Sequence, residues 1–151
     1  MKSSDRSIKT SLFVTYFVAA VLALITLSFP WILKAYFSAF RGIDLPKKVF
    51  WALIISFYVS VPFAYLALYQ LRKMLLRIRN NNPFCMENVK SLRLISYACL
   101  VVAVVCLVGC FQYAPLIFIT IAAGFIGVIL KAVKNVMEKA VEMREENDLT
   151  V

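Results

Sequence analysis

Three cysteines in one apolar stretch are the residues whose type and spacing come closest to a chemical site. Cys106 lies seven residues after Cys99, and Cys110 lies eleven residues after Cys99, so a helix would place all three thiols on one face. Thiolates suit soft metals such as Cu(I), and a Cu(I) or redox site is one interpretation. The chain contains no His, however, and thiols in apolar surroundings are mostly inert. We therefore favour packing of small hydrophobic side chains.

Other patterns that carry catalysis or bind cofactors are missing from the sequence. It has no His and no Gly-rich phosphate loop. No Asp or Glu lies within the long apolar stretches, where a proton- or ion-driven transporter usually carries one. We expect a non-enzymatic protein without a cofactor.

The apolar stretches themselves indicate a membrane protein. The chain is 62% hydrophobic with mean hydropathy +0.82, and three stretches carry no charge: 10–33, 49–71 and 94–130. A helix needs about 20 apolar residues to cross the bilayer core, and Gln112–Pro115 divides the third stretch in two. We predict four spans, at approximately 11–33, 49–71, 94–111 and 115–130. The fold should be an all-α integral membrane four-helix bundle, because backbone in lipid must satisfy its own hydrogen bonds.

Lys and Arg are distributed unevenly over the loops and ends. With both termini on one side, that side carries 13 of the 17 Lys and Arg, and the first loop carries the other four. Because cytosolic loops carry an excess of these residues, we predict that both termini are cytosolic. We attribute the net charge of +9 to this bias and to a role in attracting the protein to anionic lipid. We therefore expect no direct nucleic-acid contact.

Helical sequence continues past the spans on the predicted cytosolic side. Leu71, Leu75 and Ile78 share one helical face, and Asn80–Pro83 should end that helix before a restart near Met86. Residues 131–146 keep the same period without Pro or Gly. We predict one domain, 1–151, with a cytosolic loop 72–93, a helical tail 131–151, and helical extensions of spans 2, 3 and 4. The acidic tail and the basic loop form either an electrostatic latch or two separately solvated surfaces.

Small residues recur at helical spacing within the spans. Because small side chains let helix backbones approach closely, we predict that these positions pack the four helices together. The alternative is that these positions form the interface of a dimer, so a homo-oligomer is also compatible with the sequence. The predicted packing positions are Ala52, Ser56, Ser60, Ala64, Cys99, Ala103, Cys106, Cys110, Ala123 and Gly127.

Two segments together resemble a known family. Residues 82–93 read NPFCMENVKSLR, and residues 142–151 read EMREENDLTV. This pairing is similar to bacterial domain-of-unknown-function family 2975, small four-span membrane proteins with a Pro-Phe turn before the third span and a glutamate-rich ending. The resemblance covers the whole chain in length and span layout, and it implies the bacterial cytoplasmic membrane but no established activity. Because members are often encoded beside a small helix-turn-helix regulator of the Cro/C1 type, it also implies such a cytosolic partner.

The function suggested by these observations lies outside the lipid. We predict a regulatory or sensory module whose loop and tail bind a soluble partner such as that helix-turn-helix regulator. The alternative is a membrane permeation subunit or an immunity protein against membrane-targeting peptides, whose function would depend on the spans. The residues predicted to bind the partner are Pro83, Phe84, Glu87, Asn88, Glu145, Glu146, Asn147, Asp148 and Leu149.

Overall fold

The computed structural model describes residues 2–41, 46–80 and 83–149, with side chains over 8–39, 46–80 and 83–147. These residues form four helices, and no strand occurs among them. The helices are α1 (Lys2–Arg41), α2 (Lys47–Arg79), α3 (Met86–Cys110) and α4 (Leu116–Leu149). The predicted all-α fold is confirmed.

Each of the four helices is long and apolar enough to cross a membrane. Their outer faces carry large apolar side chains, and Leu27, Trp31 and Phe118 are each at least three-quarters exposed. A soluble protein rarely leaves so much contiguous apolar surface in water, whereas lipid solvates it readily. These are the features of a multi-pass membrane protein.

The helices extend beyond the apolar spans. α2 ends at Arg79, α3 restarts at Met86, and α4 continues to Leu149. α1 runs past the predicted end of the first span at residue 33 and includes Pro30. Such a proline is tolerated because neighbouring helices and side chains can satisfy the freed backbone groups. α4 begins one residue after Pro115, whose carbonyl accepts a hydrogen bond from the N–H of Phe118.

α3 has the most buried residues of the four helices over the side chains that the structure describes. Among the described residues, backbone contacts join α1 to α2, α2 to α3, and α3 to α4. Ten of the 25 residues of α3 are buried, against two of the 33 in α2, although both helices have a neighbour on each side. The difference arises because the contact of α1 with α2 is less extensive than the contact of α4 with α3. An apolar cluster lies at the end of the molecule opposite the α2–α3 connection. It consists of Leu33, Phe37, Leu53 and Leu116.

Four of the predicted packing positions, Ser56, Cys99, Ala103 and Gly127, lie at these helix contacts. A Cβ added at Gly127 would lie 3.4 Å from Cβ of Cys99, and one added at Gly124 would lie 3.9 Å from Cβ of Ala103. On the other side of α3, a Cβ at Gly109 would lie 2.7 Å from Oγ of Ser56. Small residues therefore allow α3 to approach both neighbours. Ser56, Ala103, Cys106 and Gly127 are buried, and the others are half-buried: Ala52, Ser60, Ala64, Cys99, Cys110 and Ala123.

Candidate functional site

The three thiols of the third span have different surroundings. Cys99 lies against Gly127 of α4, and Cys106 is buried beside a cavity that Ser60 of α2 also lines. The thiol of Cys110 donates to the carbonyl oxygen of Cys106 at 3.1 Å and lies 3.8 Å from Oγ1 of Thr120. Within residues 2–41, 46–80 and 83–149, no group of three or more His, Cys, Asp and Glu is placed to hold a metal ion. The three thiols therefore contact different neighbours.

A polar network joins the end of α2 to the start of α3. Nε of Arg77 lies 2.8 Å from Oε2 of Glu87, and its Nη1 donates to Oδ1 of Asn88 at 3.3 Å and to Oγ of Ser91 at 3.1 Å. A guanidinium carries five donors in a fixed fork, so one side chain can bind several acceptors. Arg77 occupies the last turn of α2, and its three partners lie in the first two turns of α3. The network therefore fixes the two helix ends relative to each other.

Asn88 lies at the centre of this network and has no solvent exposure. Its Nδ2 donates to the carbonyl oxygen of Pro83 at 2.8 Å while its Oδ1 accepts from Arg77. Ser91, also buried, donates to Oε1 of Gln70 at 3.2 Å. A buried amide without hydrogen-bond partners destabilises a protein by about 1–3 kcal/mol in mutational measurements. Here both ends of the Asn88 amide are hydrogen-bonded, so this cost is avoided. The site is thus a satisfied buried polar cluster.

The connection held by this cluster, which we call the α2–α3 turn, consists of residues 83–85. Cys85 has an extended backbone, and its carbonyl oxygen accepts from the N–H groups of Asn88 and Val89 at 3.0 and 3.4 Å. Pro83 is half-buried, whereas Phe84 is 48% exposed. The side chain of Phe84 is therefore exposed, whereas the turn backbone is hydrogen-bonded to the buried Asn88.

The extension of α4 lies at the same end of the molecule. Its Glu138 binds Arg93 of α3 at 3.3 Å and Lys134 at 2.6 Å. The hydrogen bond from Lys134, together with both positive charges, lowers the pKa of Glu138 below its usual range. Val141 is only 3% exposed, so α4 packs on protein at least that far along its extension. One acid of the tail thus meets the predicted basic loop, as a latch would require.

The remaining predicted tail residues lie beyond that contact. Glu145, Glu146 and Asn147 are exposed on the last turns of α4. Asp148 and Leu149 belong to the helix, but their side chains fall outside the described residues. The predicted partner-binding residues therefore form two groups, one at the α2–α3 turn and one at the end of α4. Asn88 supports the first group from within, because a buried side chain has no surface to offer a partner.

Sequence reasoning did not identify Arg77, Gln70 and Ser91 as members of the site. Gln70 was the best available signal, because it is the one amide of the second span. A polar group so placed needs a buried partner. The sequence does not show which residue of the next helix supplies it.

The chain was compared with known proteins. The family model described as "Protein of unknown function (DUF2975)" matches residues 41–151. The match includes α2, α3 and α4 and therefore both groups of predicted site residues. No curated protein and no solved structure matches the chain.

Proposed function

The chain belongs to the DUF2975 family, whose function is unknown, and we propose that it is a non-enzymatic membrane platform that docks a soluble regulatory protein. The docking surface consists of the α2–α3 turn and the exposed end of α4. The observation that supports this most directly is the half-exposed ring of Phe84 on a turn fixed by the fully buried Asn88.

A fixed turn with an exposed aromatic residue is suited to protein recognition. Aromatic side chains carry a large share of the energy at many interfaces. Ordering a mobile loop on binding costs free energy, and a loop that is already ordered avoids that cost. Because the Asn88 network fixes the backbone from the inside, Phe84 is preorganised for binding.

The end of α4 supplies charge of the opposite sign to the rest of the chain. Glu142, Glu145 and Glu146 are exposed there, on a protein whose net charge is +9. Such an acidic end is complementary to the basic surface with which a DNA-binding protein contacts phosphates. We propose that the partner is a cytosolic helix-turn-helix regulator, and that docking through its basic surface keeps it from DNA. This proposal requires both termini to be cytosolic, as the distribution of Lys and Arg predicts.

Photocrosslinking from native membranes tests the proposal. A photoreactive residue is placed at position 84 and, separately, at position 145, and the products are identified by mass. We expect the same soluble DNA-binding protein at both positions. Crosslinks from both positions only to lipid or to this chain's own helices would overturn the docking proposal.

A matched pair of variants tests the role of the aromatic ring. Phe84→Ala should weaken partner binding at least tenfold, the size typical of an interface anchor. Met86→Ala is the control, because Met86 lies two residues away with 39% exposure. Equal loss of binding in the two variants would show that Phe84 is no anchor.

One observation favours the alternative function, a membrane permeation subunit or an immunity protein against membrane-targeting peptides. An apolar cavity of about 340 Å³ lies among the helices, with lining residues from all four, including Phe29, Leu53, Cys106 and Leu116. Solute flux or peptide protection that survives truncation after Leu130 would support this alternative and count against the docking function.

A further inference from the structure

A cleft between α3 and α4 brings three cations together where the apolar spans end. Its lining residues are Arg93, Ser96, Tyr97, Lys131 and Lys134. Arg93 is the last charged residue before the long charge-free stretch, and Lys131 is the first one after it. α3 and α4 run antiparallel, as the bonds from Arg93 to Glu138 and from Ser96 to the carbonyl oxygen of Gly127 show. The two helices therefore place their first cations at one depth.

The cleft has more positive charge than the protein neutralises. Glu138 pairs with both Arg93 and Lys134, so one carboxylate serves two cations. Lys134 also donates to Oδ1 of Asn135 at 3.0 Å. Lys131 makes no hydrogen bond or ion pair with any residue that the structure describes. Three cations and one acid leave the cleft with an excess charge of about +2 available to a ligand.

An exposed apolar stripe begins at the cleft and continues along α3 into the span. Tyr97, Val101 and Val104 follow Arg93 at helical spacing, and all three side chains are exposed. Tyrosine is enriched at the level of lipid headgroups, where its ring meets the hydrocarbon and its hydroxyl meets polar groups. The oxygen of Ser96 is already bonded to Gly127, so the hydroxyl of Tyr97 is the uncharged side-chain donor available to a ligand.

We infer that this cleft binds the phosphate of an anionic phospholipid, with Arg93, Lys131 and Lys134 around the phosphate and an acyl chain along Tyr97, Val101 and Val104. The lipid belongs to the leaflet on the side of the α2–α3 turn, which is the cytosolic leaflet in the predicted orientation. Basic clefts between membrane helices on that side suit anionic headgroups. A free phosphate ion shares the same chemistry. The apolar stripe below the cations favours the lipid, because a free ion has no acyl chain to pack along it.

Lipid retention by the purified full-length chain tests the inference. The protein is placed in bilayer discs of phosphatidylcholine containing a minor fraction of phosphatidylglycerol, released, and analysed for bound lipid by native mass spectrometry. We expect enrichment of phosphatidylglycerol on the protein over its fraction in the disc. Retention of the two lipids in proportion to the disc would overturn the inference.

Three variants at matched positions locate the lipid. Lys131→Gln should weaken phosphatidylglycerol retention about fivefold, because one cation near a membrane surface is worth about that factor. Lys131→Arg should restore it. Lys139→Gln removes the same charge from an exposed position of α4 outside the cleft and should leave retention unchanged. Equal loss in Lys131→Gln and Lys139→Gln would show general surface attraction and overturn the site.

Added inorganic phosphate separates the two sources of the ligand. If the lipid occupies the cleft through both its phosphate and its acyl chain, millimolar phosphate should not displace phosphatidylglycerol from the unaltered protein. Displacement that depends on Lys131 would identify a free-anion site and overturn the assignment to a phospholipid.

Discussion

The side-chain amide of Asn88 donates to the carbonyl oxygen of Pro83 at 2.8 Å, and the donor side chain has no solvent exposure. This bond ties the first turn of α3 to the residue that opens the α2–α3 turn. Arg77 bonds the other end of the same amide, so α2, the turn and α3 are held by one side chain. An outward-facing segment of the protein is thus fixed from its buried side, and Phe84 follows directly after the fixed carbonyl.

Replacing Asn88 with Leu should destabilise the protein and loosen the turn. The variant keeps the branching at Cγ, although leucine is larger than asparagine, and it leaves the Pro83 carbonyl and part of the Arg77 guanidinium without their partner. Buried groups left unsatisfied cost about 1–3 kcal/mol each. We expect a lower midpoint of unfolding in detergent and faster hydrogen exchange in residues 83–89. A variant with unchanged exchange there would show that the network does not hold the turn.

Arg77→Met should cost more stability than Glu87→Gln. Arg77 bonds Glu87, Asn88 and Ser91, and its side chain is 26% exposed, whereas the carboxylate side of the pair is 68% exposed. An exposed ion pair contributes about 0–1 kcal/mol, and Glu87→Gln removes this pair together with the interaction of a first-turn acid with the dipole of α3, about 0.3–1 kcal/mol. Unfolding free energies in mixed micelles should therefore rank the arginine variant as the less stable. Equal losses in the two variants would assign the effect to the ion pair alone.

Gly109→Ala and Gly124→Ala should change stability in opposite directions. A Cβ at Gly109 would lie 2.7 Å from Cδ1 of Leu116 and 2.7 Å from Oγ of Ser56, both on buried side chains that must shift. Overpacking of this kind typically costs about 1–3 kcal/mol, which at Gly109 should exceed the gain of about 1 kcal/mol that alanine brings over glycine in a helix. At Gly124 the nearest atom would be 3.9 Å away, and alanine favours a helix over glycine by about 1 kcal/mol.

The measurement for this glycine pair is thermal unfolding in one detergent. We expect the Gly109 variant to unfold below the unaltered protein and the Gly124 variant at or above it. If both variants gained stability, the contact between α2 and α3 at Gly109 would be looser than the structure indicates.

The elements of the fold were largely readable from the sequence. Charge-free stretches located four helices, because a charge at the bilayer centre costs roughly 2.5–3.5 kcal/mol on insertion scales. The position of Pro83 predicted where α2 ends. Helical periodicity without Gly or Pro predicted that α4 continues beyond the span, and the helix ends at Leu149. The length of α1 was not predicted, because Lys34 ends the apolar stretch whereas the helix continues to Arg41.

The candidate site was less readable, because it depends on which helix faces which. The segment 83–88 was recognised, but its fixation by Arg77 depends on two helix ends that meet only after folding. The cysteine stripe shows the same limit. In projection the thiols share one face, but α3 lies between α2 and α4, so Cys99 lies against α4 and Cys106 lies beside the cavity that α2 lines.

The contact of the α4 extension with α3 should depend on acid in a predictable way. The pKa of Glu138 is lowered chiefly by its hydrogen bond from Lys134, and also by the charge of Arg93. A carboxylate whose pKa is lower in the folded state stabilises that state above the unfolded value, about 4.3 for Glu. That contribution is lost only as the pH falls through the lowered pKa. Hydrogen-exchange protection of residues 131–141 should therefore be equal at about pH 7 and about pH 5 and decrease below about pH 4.

Glu138→Gln should reproduce the acid state at neutral pH, because the amide lacks the charge that binds Arg93 and Lys134. We expect its protection over residues 131–141 to be reduced at about pH 7 and to change little on further acidification. Glu142→Gln is the matched control, since Glu142 is one helical turn further along α4 and exposed. The control should keep both the protection and the acid response of the unaltered protein. An acid response that persisted in Glu138→Gln and disappeared in Glu142→Gln would move the contact to the second carboxylate.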